Sequence, residues 1–261
     1  MNISVIKIGG NVIDHKENCT EFLKLFAHFP GVKVLVHGGG VMASRIGSSL
    51  GIVPNMHNGR RITDKETLDV VTMVYAGLIN KNLVAELQGY GQNSIGLTGA
   101  DGNAITSRKR PIKDVDFGFV GDIAHVNTAL LETLLEQNIA PVFSAITHDG
   151  NGQLLNTNAD TIASEISTAL AKTHTVKLYF CFDKKGVLMD ANDPETLVPL
   201  INEGIFKALL LDQVIHSGMI PKLENAFNAL NKGVANVWMG LPENLLLAAK
   251  GENAGTTIES L

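Results

Sequence analysis

Five short runs of chain, Val5 to Ile8, Val32 to Val36, Pro141 to Ala145, Val176 to Phe182 and Val234 to Met239, are rich in β-branched residues and almost wholly apolar on both faces. A strand of that kind needs cover on both sides, since an open face would leave every second side chain in water. The stretches between the runs are long enough for helices with an apolar stripe. Strands joined by such connections run parallel through βαβ crossovers, and the helices supply the cover. The pattern predicts an α/β fold on a mostly parallel central sheet.

Helix starts are legible at several joints. Thr63-Asp64-Lys65-Glu66 reads as a capping box opening a helix that runs to about Leu87. A second helix is expected over Asp160 to Ala171. A third starts near Asn127 with Leu130, Leu131, Leu134 and Leu135 on one face, and a fourth is opened by Pro221 and closed by Gly233. The polar stretch Lys172 to Thr175 is the best lobe boundary, but it is too short for a flexible linker. The expectation is one 1–261 domain of two lobes, 1–172 and 173–261, sharing a sheet.

Composition narrows the partners. With 21 Lys and Arg against 26 Asp and Glu, the chain carries −5 at pH 7 and has no global basic field to attract nucleic acid or an anionic membrane. An anionic ligand must then be held by local groups. Cys19 and Cys181 lie far apart in no metal-like spacing, which argues against a disulfide framework and fits a reducing cytoplasm. The eight histidines form no metal-binding grouping. No apolar run approaches the ~18 residues a membrane span needs, and no targeting segment is expected.

Several motifs remain for chemistry. Lys7-Ile8-Gly9-Gly10 places a lysine and two unhindered backbone amides at the carboxyl end of the first strand, where open α/β sheets bind ligands. Val36-His37-Gly38-Gly39-Gly40 repeats the arrangement after the second strand, with N–H donors at a helix start. One such loop is punctuation; two at one sheet edge look built for carboxylate or phosphate. A P-loop is disfavoured because no Gly-Lys pair exists, and Gly89-Tyr90-Gly91 lacks the third glycine of a dinucleotide fingerprint. In Asn58-Gly59-Arg60-Arg61-Ile62-Thr63-Asp64 an Asn-Gly turn delivers two arginines just before a capped helix, and an arginine there can grip a carboxylate bidentately. In Asn156-Thr157-Asn158-Ala159-Asp160 one polar residue serves as a helix cap, leaving two for other work. Lys222, one residue after Pro221, sits at the positive end of a helix dipole, where acids are preferred, and that misplacement suggests a bound anion. The stretch Phe182-Asp183-Lys184-Lys185-Gly186-Val187-Leu188 reads on its own as a turn.

Taken in order with Gly96-Leu97-Thr98-Gly99-Ala100-Asp101-Gly102, Phe119-Val120-Gly121-Asp122 and Gly218-Met219-Ile220-Pro221-Lys222, these motifs resemble the acylglutamate branch of the amino-acid kinase family, from Ile3 to about Val237. The resemblance implies a three-layer αβα sandwich, an N-terminal lobe for the acyl-amino acid, a C-terminal lobe for MgATP, and a homodimer. It places the two phosphate-stabilising lysines on Lys7 and Lys222 and the acid that orients them on Asp160. Substrate contacts fall on Gly39, Gly40, Arg61 and Asn156. Nucleotide contacts fall on Gly9, Gly10, Asp183, Lys184, Lys185, Gly186, Val187, Leu188, Val214, Ile215 and His216, with Mg²⁺ carried by ATP rather than by a protein site.

The implied reaction is ATP-dependent phosphorylation of the γ-carboxylate of an N-acylated glutamate, a step of arginine biosynthesis. Its nucleophile has a reference pKa of about 4.3 and is ionised near neutrality, so no general base is needed. What is needed is charge cancellation and in-line alignment. Acetyl is the expected acyl group. Succinyl stays open because Arg60 offers a cation for a third carboxylate. A catalytically silent binding module is the reading of another class, weakened by the presence of both lysines and the acid. Arginine feedback in this family goes with an extra N-terminal helix, and with a strand starting by Ile3 the expectation is an arginine-insensitive dimer.

Overall fold

The computed structural model describes residues 1–190, 192–212, 214–215, 219–252 and 254–259. In chain order the first elements are β1 (Asn2–Ile8), α1 (Gly10–Asp14), α2 (Lys16–His28), β2 (Val32–His37), α3 (Gly40–Ser49), β3 (Asn55–His57), β4 (Arg60–Ile62) and α4 (Lys65–Thr72). A π-helical segment, Met73–Ile79, joins α4 to α5 (Asn80–Gly89). There follow β5 (Ser94–Leu97), β6 (Ile105–Lys109), β7 (Gly121–Val126), α6 (Thr128–Glu136), β8 (Ala140–Ser144), β9 (Ile146–His148), β10 (Leu154–Asn156) and α7 (Ala159–Ala171). The last part holds β11 (Thr175–Cys181), β12 (Leu200–Ile201), α8 (Glu203–Leu211), α9 (Ile220–Asn231), β13 (Asn236–Gly240), α10 (Leu245–Ala249) and β14 (Thr256–Ile258). The chain divides into two compact units, one of Met1–Lys33 with Ala163–Leu261 and one of Val34–Ile162.

In the first unit the strand order is β12-β14-β13-β11-β1, parallel throughout except for the β13–β14 pair. Val5, Ile6, Ile8, Leu178 and Val237 are fully buried, as both-face apolar strands require. Phe22, Leu23 and Phe26 form the buried stripe of α2. Lys33 is a buried cation in an apolar run, and its neighbours explain it. Its ammonium donates to the carbonyls of Ala27 at 3.0 Å and Phe29 at 2.6 Å and lies 5.2 Å from the centre of the Phe26 ring. It therefore satisfies carbonyls at the end of α2 that the helix itself leaves open. Burial lowers its pKa to about 8.

In the second unit β2, β8 and β5 form a parallel set in that order. A separate sheet, β10-β9-β6-β7, is antiparallel at both ends and parallel at β9–β6, and β3 and β4 form a hairpin. The α/β class with mostly parallel strands thus holds, while the antiparallel sheet and the hairpin go beyond the expected pattern.

Two helix readings need correction. Asp64, not Thr63, caps α4: its carboxylate accepts from the Thr67 N–H at 2.8 Å, and Thr63 is buried in a bridge to Gly118. The helical run from Lys65 to Gly89 also is not uniform, since the π-helical turns interrupt it. Of the four leucines assigned to the α6 face, Leu131 and Leu135 are buried and Leu130 and Leu134 are half-buried. Pro221 does lie in the first turn of α9, and Gly233 follows that helix with φ 99°.

Candidate active site

The first unit carries the lysine-glycine turn. Lys7 pairs in register with Phe180, one residue before both strands end. The Gly9 N–H then donates to the Cys181 carbonyl at 2.8 Å, and a Cβ on Gly9 would stand 3.3 Å from that oxygen, so the turn approaches β11 more closely than a side chain comfortably allows. Gly10 begins α1. Cys181 is fully buried, which pushes its thiol well above the ordinary range against the opposing pull of the Lys7 charge, so it stays protonated and inert.

Across from this turn Asp183 accepts from Asn11 Nδ2 at 2.8 Å, linking the segment after β1 to the segment after β11. A cavity of about 370 Å³ opens beside this pair, but its lining includes Glu21, Asp183 and Glu243, and three carboxylates repel a polyphosphate. Beyond Asp183, Lys184 is exposed and Lys185 pairs with Glu195 at 2.7 Å. Gly186 is packed tightly: a Cβ there would lie 2.5 Å from Thr256 Oγ1, which accepts from the Val187 N–H at 2.8 Å. Leu188 bridges to Leu197. Val214 donates to the Leu209 carbonyl at 3.1 Å at the end of α8, and Ile215 is buried. His216, with Ser217 and Gly218, lies outside the described residues. Lys222 sits half-buried in the first turn of α9.

The second unit builds a more closely connected framework. Gly39 precedes α3 with φ 148°, and a Cβ on it would lie 2.1 Å from Ile79 Cδ1 and 3.2 Å from Tyr75 Cδ1. Only glycine fits. No side chain caps α3, which leaves the N–H groups of its first turn open to a ligand. The Arg61 guanidinium donates to the Gly40 carbonyl at 2.9 Å and to Ser44 Oγ at 2.7 Å, fixing the arginine beside that helix end. Asn156 Nδ2 donates to Thr63 Oγ1 at 3.0 Å, and the same hydroxyl donates to the Arg61 carbonyl at 3.4 Å.

Asn158 caps α7 by accepting from the Thr161 N–H at 3.0 Å, so it is the capping member of the Asn156 to Asp160 motif. Asp160 is buried in the first turn of α7, and a Cβ added to Gly38 would lie 3.8 Å from the Ala159 methyl group. Gly39, Gly40, Arg61 and Asn156, expected as one substrate site, are therefore linked through Thr63 and the Arg61 contacts. Sequence reasoning passed over Asn11, Thr63, Tyr75, Ile79 and Asn80 as supports. Of these, Thr63 stood out in sequence only as a capping-box residue, and Asn80 left a trace as an amide directly after the apolar Leu78-Ile79.

The model of the Amino acid kinase family matches residues 2–240. The chain belongs to the amino acid kinase family. Among its amino acid kinase relatives, a protein of Bacteroides fragilis called acetylglutamate kinase is 54% identical over 235 residues, 90% of each chain. One of the same description from Phocaeicola vulgatus is 51% identical over 257 residues, 98% of each chain. Among solved structures, smu.665 from Streptococcus mutans UA159 superposes with a TM-score of 0.80 at 28% identity, over 98% of each chain. The three-layer amino-acid kinase architecture expected from the motifs is the fold these similarities identify.

Proposed function

We propose that this amino acid kinase transfers the γ-phosphoryl group of MgATP to the γ-carboxylate of N-acetyl-L-glutamate, giving N-acetyl-L-glutamyl 5-phosphate and ADP in arginine biosynthesis. The observation that carries the reading is identity of 51% to 54% over 90% to 98% of the chain with relatives that bear the name acetylglutamate kinase. The chemistry suits the residues. A carboxylate oxygen attacks the γ-phosphorus, the bond to the bridging oxygen of ATP breaks, and ADP leaves with that electron pair. No proton has to be removed from the nucleophile, so the transfer needs no general base.

Lys7 and Lys222 take the roles of charge-stabilising lysines, and Asp160 that of their orienting acid. Arg61 grips the α-carboxylate, with Asn156 and the amides of Gly39 and Gly40 holding the rest of the acylglutamate. Gly9, Gly10, the Asp183 to Leu188 turn and Val214 to His216 belong to the nucleotide, and Mg²⁺ arrives as part of that substrate. A homodimer and a cytoplasmic location belong to the same reading. The two cysteines are buried and form no disulfide, which fits a reducing compartment, and no helix among the described residues is long and apolar enough to cross a membrane.

One observation favours a second acyl group. The Arg60 guanidinium is exposed and makes no hydrogen bond or ion pair among the described residues, whereas its neighbour Arg61 is anchored through Nη2 to the Gly40 carbonyl and Ser44. Strand alternation turns the two arginines to opposite faces of the hairpin. An N-succinyl group carries a third carboxylate, which such a cation can meet if the acyl chain reaches past the hairpin from the Arg61 face. ADP release measured with N-acetyl-L-glutamate, N-succinyl-L-glutamate and L-glutamate in turn tests both readings. Turnover of acetylglutamate in preference to the others supports the first, preference for succinylglutamate supports the second, and none with any of the three removes both.

A further inference from the structure

The glycine loop after β2 is held from below by a chain of polar contacts that begins at Asn80, the residue directly after the π-helical segment. His37 is fully buried, its Nδ1 lies 2.9 Å from the Gly38 carbonyl and its Nε2 lies 3.0 Å from Asn80 Nδ2. A carbonyl can only accept and an amide NH₂ can only donate, so Nδ1 carries the proton and Nε2 is the acceptor. The ring is thereby fixed as one neutral tautomer. Asn80 spends its other N–H on the Val142 carbonyl at 2.9 Å, and its oxygen accepts from Lys81 Nζ at 3.1 Å. Every polar atom of that buried amide is engaged, so it has one orientation.

The wide turn sets these residues where they are. A π turn closes from residue i to i+5 and so holds about one residue more than an α turn, which rotates the succeeding helical residues by about 100°. Tyr75 and Ile79 of the segment pack against Gly39, and Asn80, five residues after Tyr75, reaches His37. The short stretch 75–80 therefore touches the glycine loop twice, through apolar contact at Gly39 and through the Asn80 amide and the His37 imidazole at Gly38.

We propose that Asn80, acting through His37, is a positioning residue for acylglutamate binding: it fixes the imidazole that grips the Gly38 carbonyl and so holds the Gly39 and Gly40 amides in their ligand-ready orientation. The inference rests on the reading above for the identity of the ligand. It separates two features of one histidine, since an asparagine at this position reproduces a donor near Nδ1 and a glutamine reproduces a polar group near Nε2.

The test has two arms. The first is the nitrogen-15 spectrum of the imidazoles in the unmodified protein, which needs no substrate. One histidine signal pair with Nδ1 protonated, unchanged between pH 5 and 8, and altered in Asn80→Leu is expected; a His37 ring protonated at Nε2, or titrating near 6.5, overturns the proposal. The second arm compares His37→Asn with His37→Gln by steady-state kinetics, using whichever acylglutamate the unmodified protein turns over. His37→Asn should keep the KM for acylglutamate within about threefold, and His37→Gln should raise it about tenfold or more with the KM for ATP little changed. Equal effects of the two variants, or a loss shared equally by both substrates, reduce His37 to a packing role and overturn it. Absence of turnover in the unmodified protein would instead count against the proposed function and leave the spectroscopic arm decisive.

Discussion

Thr63 and Asn156, 93 positions apart in the chain, meet in a hydrogen bond of 3.0 Å from the amide nitrogen to the hydroxyl oxygen. Thr63 is fully buried, and its hydroxyl in turn donates to the carbonyl of Arg61. Two residues assigned to the acylglutamate are thus braced by a third that need not touch it. Backbone bonds reinforce the arrangement: Thr63 donates to Phe117, Phe119 donates to Thr63, and Asn156 donates to Phe119.

Replacing Thr63 by valine keeps the shape and removes the hydroxyl, so the Asn156 amide loses its acceptor. An unsatisfied buried polar group costs about 1–3 kcal/mol, and the amide is also free to turn. Thr63→Val should therefore lower the melting temperature and raise the KM for acylglutamate, while Thr63→Ser stays close to the unmodified protein. Equal KM values for all three proteins would remove the bracing role.

Gly39 and Gly40 are neighbours with opposite tolerance. A methyl group on Gly39 meets Ile79 at 2.1 Å on a backbone with φ 148°, whereas the nearest atoms to a methyl on Gly40 are 3.9 Å away. Overpacking of this kind costs about 1–3 kcal/mol before backbone strain is added. Thermal denaturation should show Gly39→Ala clearly destabilised and Gly40→Ala within about 0.5 kcal/mol of the unmodified protein, the usual range for an unstrained change.

His37 gives the fold a pH dependence with a definite sign. Burial lowers its pKa from 6.5 to about 4, with the backbone bond to Gly38 opposing and the Lys81 charge assisting. The unfolded chain therefore takes up a proton between pH 6.5 and about 4 that the folded chain refuses. This contribution to stability is intact above pH 6.5 and declines as the pH falls towards 4, by up to about 3 kcal/mol at about 1.4 kcal/mol per pH unit. Urea unfolding followed at pH 7, 5.5 and 4.5 should show the decline, and His37→Asn should remove most of it. A slope that is the same in that variant would assign the effect to other groups.

Lys7 and Lys222 are proposed to act on the transferring phosphoryl group rather than on the fold. Loss of one preorganised electrostatic contact in a transition state lowers kcat by about 10²–10³. Lys7→Met and Lys222→Met should each show a fall of that order with circular dichroism unchanged. A kcat within about threefold of the unmodified value for either variant would take that lysine out of the mechanism.

Much of the framework was legible because it follows from burial. The five both-face apolar runs all became strands of the mainly parallel sets, with ends shifted by at most three residues. Asn127 and Asn158 stand as helix caps, by the local chemistry that identifies such residues. What escaped depends on distant partners. Ile146–His148 and Leu154–Asn156 are three-residue strands of mixed polarity, too short for alternation to show. The π-helical turns have no local signature, because Tyr75 and Ile79 are placed by Gly39, more than thirty positions upstream. Thr63 was misread because a capping-box threonine and a buried bridging threonine look the same in sequence, and only the partners at Asn156 and Phe119 distinguish them.

The central claim is the chemistry, and the acyl phosphate itself is its most direct sign. Incubating the protein with MgATP, N-acetyl-L-glutamate and hydroxylamine should yield the γ-hydroxamate of acetylglutamate, one for each ADP formed, and Lys222→Met should suppress it at least about a hundredfold. ADP formed without any hydroxamate, or a hydroxamate obtained from L-glutamate as readily as from acetylglutamate, would contradict the account.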